Sequence, residues 1–201
     1  MPRSRGKNRD LHGNAPDESR VALLIIDMIN AFDFDGAEGM LPRALAAARG
    51  IAALKRRAHG AGAAVVYVND NFGRWRSDFH QILEHCLASP GREIAQLLVP
   101  QKEDYFVLKP KHSGFQFTTL DVLLEHLGAE RLILTGVAAN FCVLFTAHDA
   151  YMRDYRLVVP SDCVASLTES ANRHALTHMA DVTKAEVRPS AAIDFQGSSF
   201  L

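Results

Sequence analysis

Six short apolar runs, each followed by an amphipathic or alanine-rich stretch, constrain this chain more than any other feature. The runs are Val21–Ile26, Ala63–Asn69, Tyr105–Leu108, Arg131–Thr135, Arg156–Pro160 and Lys184–Val187. The stretches that read as helices are Arg43–His59, Phe79–Leu87, Leu120–Leu127, Phe141–Met152 and Glu169–Met179. Strands alternating with helices call for right-handed crossovers that place helices over the sheet. The expected fold is therefore α/β: a three-layer, Rossmann-like arrangement with a mainly parallel six-stranded sheet and helices on both faces. Gly60 and Gly62 close the first helix and Gly128 another, since glycine adopts the left-handed turn that ends helices.

The chain of 201 residues, 48% hydrophobic and 22% charged, suffices for one sizeable core. No internal repeat or second core interrupts it, so residues 21–201 read as a single domain. Residues 1–20 carry almost nothing apolar and lack the core of a secretory signal; they read as a mobile N-terminal arm. The net charge of −1 leaves no electrostatic footprint for nucleic acid or an anionic membrane. No apolar run approaches the ~20 residues of a membrane span. The odd count of three cysteines, Cys86, Cys142 and Cys163, argues against a disulfide framework and for a reducing, cytoplasmic setting.

In parallel sheets, chemistry collects at the carboxyl ends of strands. Asp27 follows the first run, Asn69, Asp70 and Asn71 end the second, and Lys109 follows the third. The fourth leads into Gly136-Val137-Ala138-Ala139-Asn140-Phe141-Cys142, and Ser161 and Asp162 follow the fifth. A thiol opening a helix feels the positive end of the helix dipole, which favours thiolate, although free cysteines also serve as small buried hydrophobes. A carboxylate closing an apolar run is partly buried and suited to moving protons, or it caps a turn. A strand-end lysine stabilises negative charge, or it is a solvated edge charge. Together the three form an acid, amine and nucleophile set.

Three segments carry a family resemblance over about residues 21–165. They are ALLIIDMINAF around Asp27, LKPKHSGFQFTTLDVLL beginning just before Lys109, and LILTGVAANFCVLFTAHDAYMRDY around Cys142. In these the chain resembles the isochorismatase-like cysteine hydrolase superfamily, which includes nicotinamidases, N-carbamoylsarcosine amidohydrolases and ureidoacrylate amidohydrolases. The lysine matching the family motif is Lys109, not Lys111. The resemblance implies that Asp27 takes the thiol proton, that Cys142 attacks a carbonyl, and that Lys109 holds the pair together. It also implies a cis peptide at Val137–Ala138 and an oxyanion hole formed by the N–H groups of Ala138 and Cys142. Relatives are commonly dimers or higher oligomers, so a homo-oligomer, dimer or tetramer, is expected.

Nicotinamidases of this superfamily hold a metal through an Asp and two His after the second strand. Here Asn71 stands where the first His would be, and the next histidine, His80, lies in a predicted helix. Asparagine is a poor ligand for transition ions, so neither a metal nor another cofactor is expected. His112, His148, His174 and His178 have no ligand spacing. His174 and His178, four apart on one helix, read as surface or subunit-contact residues. Phe32, Phe34, Asn71, Trp75, Phe115 and Phe141 adjoin the motif segments and are candidate pocket residues for a small-molecule substrate. Arg74 and Arg76 flank Trp75 as candidate carboxylate binders.

The leading expectation is a metal-independent hydrolase cleaving a small amide or ureido C–N bond through a Cys142 acyl-enzyme. Alternatives are isochorismatase-type vinyl-ether hydrolysis, which needs no thiol, a catalytically silent binding or assembly subunit, and a thiol redox protein should Cys163 approach Cys142.

Overall fold

The computed structural model describes residues 18–73 and 78–195 of the chain. β1 (Val21–Ile26) is buried along its whole length. Its residues alternate between two separate cores: Leu23 and Ile25 enter one, Leu24 and Ile26 the other. A strand covered on both faces needs apolar side chains at every position, which accounts for the unbroken run. β2 (Ala64–Asp70), β3 (Tyr105–Lys109), β4 (Arg131–Val137), β5 (Arg156–Pro160) and β7 (Glu186–Arg188) complete the main path, in the order β3-β2-β1-β4-β5-β7. All pairings are parallel. A seventh, two-residue strand, β6 (Val164–Ala165), lies off this six-stranded path and pairs with the end of β4. Two residues carry no readable periodicity, so pattern alone does not reveal it.

The first core packs α1 (Ala37–Gly60), α2 (Phe79–Leu87) and α3 (Arg92–Leu97) onto one face of the sheet. The second packs α4 (Leu120–Leu127), α5 (Leu144–Tyr151) and α6 (Glu169–Val182) onto the other. α1 begins at Ala37 rather than Arg43 and continues through Pro42. The proline removes one helical hydrogen bond near the start; the buried face of Met40, Ala44, Ala47, Ala48 and Ile51 carries the helix past it. α3 is short and lay unread in the sequence. Side-chain oxygens of Asp78 and Thr168 accept N–H groups at the starts of α2 and α6, and Gly128, with φ 65°, ends α4.

Residues 1–17 of the expected arm, together with Arg74, Trp75 and Arg76, lie outside the described residues. The Ser19 hydroxyl donates to the Val21 carbonyl at 2.7 Å and accepts the Ala64 N–H at 2.9 Å, and Arg20 pairs with Glu130 at 2.7 Å. These contacts fasten Ser19 and Arg20 to the body where β1 begins.

The chain leaves β1 outward to β2 and β3, then crosses to β4 on the other side of β1. This reversal opens the crevice in which such sheets hold ligands, at the carboxyl ends of β1 and β4. Gly136 brings those two ends together. Its φ is +114°, and a Cβ there would lie 2.0 Å from the Ile26 carbonyl oxygen, so only glycine fits. β2, β3 and β4 run one or two residues beyond the expected ends, which makes Asp70, Lys109 and Val137 their last residues.

Candidate active site

Asp27 is the first residue beyond β1. Its φ of +52° is left-handed, a conformation Asp tolerates better than most residues. Its N–H bonds to the Val68 carbonyl at 3.0 Å, which keeps it beside β2. The side chain thereby turns into the crevice and is almost wholly buried. Lys109, at the end of β3, reaches the same place and is fully buried, at 0% exposure. Its Nζ lies 2.8 Å from Asp27 Oδ2 and 3.3 Å from Asp70 Oδ2. The same amine lies 3.2 Å from the Lys111 carbonyl and 3.5 Å from Cys142 Sγ. Asp27 Oδ1 accepts the Asp70 N–H at 2.6 Å.

Cys142 arrives from β4. The Val137–Ala138 peptide is cis, and the chain then makes a π-helical turn, Ala139–Val143, before α5 begins. The N–H groups of Phe141 and Val143 both bond to the Ala138 carbonyl, at 3.0 and 3.2 Å. Cys142 thus sits in a widened turn rather than in the α-helix expected from Phe141 onward. Thr146 secures the turn: its hydroxyl donates to the Cys142 carbonyl at 2.6 Å and accepts the Gly114 N–H at 3.0 Å.

Burial is the largest influence on both acids. It raises Asp27 above the ordinary carboxylate range, against the lowering effect of Lys109, and the Asp70 charge adds to the rise. Burial and the Asp27 charge push the Cys142 thiol up to about 12, with Lys109 opposing. Burial thus opposes the thiolate that a helix terminus would favour. For Lys109, burial alone would lower the amine, but Asp27, Cys142 and Asp70 outweigh it and raise it. The cluster is thus an amine held between two carboxyl groups with a thiol beside it. A thiol, a base within reach of its proton and a fixed cation can carry out acyl transfer once a carbonyl is presented.

Two neighbours of this cluster were missed as site residues in the sequence. Asp70 touches Lys109 with its side chain and Asp27 with its backbone; its position closing a strand was the available signal. His112 holds Nδ1 3.9 Å from Cys142 Sγ, with its ring against those of Phe145 and Phe141 at 5.7 and 5.6 Å between centroids. Nothing in the spacing announces this contact, because it depends on the path from β3 to α4. Lys111 contributes only its carbonyl.

The candidate pocket residues divide. Phe115 is buried in the second core, beside Tyr155 and under the Arg153 guanidinium, and Phe32 is buried in the first. Both pack within the cores rather than standing at the surface. Phe141 is half-exposed beside His112, and Phe34 is exposed. Phe34 lines a cavity of about 260 Å³ with Asn30, Asp33, Phe72, Ile82 and His85. Asn71 donates its N–H to the Lys109 carbonyl at 3.1 Å and accepts the Gly73 N–H on its side chain at 3.0 Å. Asp70 is likewise committed, to the Phe72 N–H at 2.7 Å and to Lys109. Among the described residues, those after β2 do not fit a divalent metal, since the Asp70 and Asn71 side chains already accept N–H groups and no imidazole joins them. Among the described residues, no group of three or more His, Cys, Asp or Glu gathers where a metal ion could be held.

Cys163 packs in the core opposite to that of Cys142, beside Gly50 of α1, and all three cysteines are free thiols. The sheet separates the two sulfurs, which removes the basis of a redox pair. Among the described residues, no helix is long and apolar enough to cross a membrane.

Comparison with known proteins supplies independent findings. A family model described as "Isochorismatase domain" matches residues 21–191. The isochorismatase family protein YaaI of Bacillus subtilis is 42% identical over 166 residues, covering 83% of this chain and 92% of that protein. Ureidoacrylate amidohydrolase RutB of Variovorax paradoxus is 30% identical over 191 residues, covering 78% of this chain and 73% of that one. Among solved structures, N-carbamoylsarcosine amidase from Thermoplasma acidophilum superposes with a TM-score of 0.67 at 27% identity, covering 87% of this chain and 99% of that one.

Proposed function

Because the chain belongs to the isochorismatase family of hydrolases, we propose that it cleaves a small amide or ureido C–N bond through a thioester on Cys142. One observation carries the reading: the buried Lys109 amine lies 2.8 Å from Asp27 and 3.5 Å from the Cys142 sulfur. A structural thiol gains nothing from a desolvated charge on each side of it. The relatives named as ureidoacrylate amidohydrolase and N-carbamoylsarcosine amidase support the choice of bond.

In the proposed cycle, Asp27 removes the thiol proton as the sulfur attacks the carbonyl carbon. Its raised proton affinity suits it to this transfer. Lys109 balances the negative charge while the proton moves. The N–H groups of Ala138 and Cys142, where the β4 strand gives way to the turn, face the developing oxyanion; losing one such donor typically costs ~10²–10³ in rate. The C–N bond breaks, and Asp27 hands its proton to the leaving nitrogen. Water then attacks the thioester, Asp27 takes the water proton, and the thiol is restored. No step requires a metal.

A panel of N-carbamoyl compounds and primary amides tests the reading. The expected result is turnover that disappears in Cys142→Ala, with the acyl-enzyme visible in the intact mass of the wild type during reaction. Turnover that survives in Cys142→Ala would overturn the covalent route and favour ether hydrolysis without the thiol.

A further inference from the structure

α5 and α6 face each other outside the active site, and each places a histidine at the contact. His148 Nε2 and His178 Nε2 lie 3.0 Å apart, with ring centroids 5.1 Å apart and planes inclined by 41°. His178 is exposed and His148 half-buried, so both rings can be reached from solvent. Two neutral imidazoles at this distance share one proton, one ring donating and the other accepting. When the donating ring holds its proton on Nδ1 instead, the two Nε2 lone pairs are the beginning of a chelate.

We propose that His148 and His178 form a two-histidine site for a first-row transition ion of the nickel or copper class, clamping α5 to α6. An imidazole nitrogen binds such an ion at about 2.0–2.1 Å. Two bonds of that length at right angles hold their nitrogens about 2.9 Å apart, whereas a tetrahedral angle requires about 3.4 Å. The observed 3.0 Å matches the right-angled, square-planar or octahedral case. Modest rotation of the accessible rings turns both lone pairs toward one point. Among the described residues no third ligand completes the set, so water fills the remaining positions. The site joins elements that are far apart in sequence, and one of them, α5, continues directly from the turn that carries Cys142. Bound metal therefore ties that helix to its neighbour without entering the reaction.

The test is a titration of the full chain, without an added histidine tag, with Ni²⁺ by calorimetry, alongside thermal unfolding with and without Ni²⁺. The expected result is saturable one-to-one binding and a higher unfolding temperature. His148→Ala and His178→Ala should each weaken binding at least ~10-fold, the lower bound seen even for residues that merely support a metal ligand. His174→Ala, one turn away on α6, should leave binding unchanged. With Cu²⁺, the electron paramagnetic resonance spectrum should show two equatorial nitrogens in the wild type and one in either single variant. Undiminished Ni²⁺ binding in the doubly substituted His148→Ala/His178→Ala chain would overturn the proposal, as would no saturable binding in the wild type; the pair would then be a hydrogen bond only.

Discussion

Lys55 and Lys109 are both buried amines paired with carboxylates, yet they end in different chemistry. Lys55, on α1, meets three acceptors: Asp104 Oδ2 at 2.6 Å, Tyr67 Oη at 2.9 Å and the Val99 carbonyl at 3.1 Å. Three N–H groups meet three oxygens. Asp104 is closed as well, by His59 at 2.7 Å and by the Gln101 N–H at 2.7 Å, and the Tyr67 hydroxyl donates to the Leu98 carbonyl. Lys109 has more acceptors than protons. Asp27, Asp70, the Lys111 carbonyl and the Cys142 sulfur all compete for it. Under the proposed cycle, the difference teaches that a buried ion pair becomes reactive when one partner is left over. In the Lys55 network every group is used; in the Lys109 network a weakly accepting thiol stands beside the charge with a base next to it.

The sharpest way to break the comparison is to remove each amine. Lys109→Met should lower kcat at least ~10²-fold, because charge stabilisation in a dry site is lost. Steady-state kinetics on the folded variant checks this. Lys55→Met should leave kcat unchanged and cost about 3–5 kcal/mol of stability, the usual penalty for leaving a buried charge such as Asp104 without its partner. Urea unfolding measures that loss. A large fall in kcat from Lys55→Met would erase the distinction between the two networks.

Asp27→Asn sharpens it further. Turnover should fall by ~10²–10⁴, the usual contribution of a positioned general base. Alkylation of Cys142 by iodoacetamide at neutral pH should nevertheless become faster. The Asp27 charge is one of the causes holding the thiol up near 12, so its removal lets the thiolate form more readily beside Lys109. Peptide mass spectrometry, with Cys86 and Cys163 as internal references, separates the two effects. Slower alkylation would mean that Asp27 activates the resting thiol rather than opposing its ionisation.

The smallest effect concerns pH and stability. Burial pushes both Cys142 and Cys163 up to about 12, above the ~8.5 of an unfolded thiol. A raised thiol keeps its proton in the folded state while the unfolded chain releases it. The stabilising contribution is therefore complete below the unfolded value and is lost as pH rises from ~8.5 towards about 12. Cys142→Ala and Cys163→Ala should each flatten part of the alkaline fall in unfolding free energy. If only Cys163→Ala does so, the Cys142 thiol is already ionised in the fold.

The exchange of layers between sequence and structure follows one physical line. Apolar runs and amphipathic stretches are local properties, so the α/β alternation, the covered sheet and the strand-end positions of Asp27, Lys109 and Cys142 were legible from the chain itself. The helices Phe79–Leu87 and Leu120–Leu127 were bounded correctly for the same reason. What local pattern cannot carry is which residues meet across a crossover. Asp70 and His112 join the site only because β2, β3 and the following loop converge on β1 and β4. The burial of Phe115 and Phe32 on opposite faces of the sheet is equally a product of the tertiary path. Cys163 and Cys142 lie on opposite sides of the sheet, and His178 pairs with a residue 30 positions away rather than with His174.

By itself, then, the sequence determined the layers and the chemical types available at the strand ends, since strand and helix periodicity is set by neighbours along the chain. Tertiary structure alone decided the burial and the company of those groups. Burial and the Asp27 charge raise the Cys142 thiol, and the register that sets Asp70 opposite Lys109 creates a second carboxylate for the amine. Desolvation and contact depend on where the rest of the chain lies, and that information exists only in three dimensions.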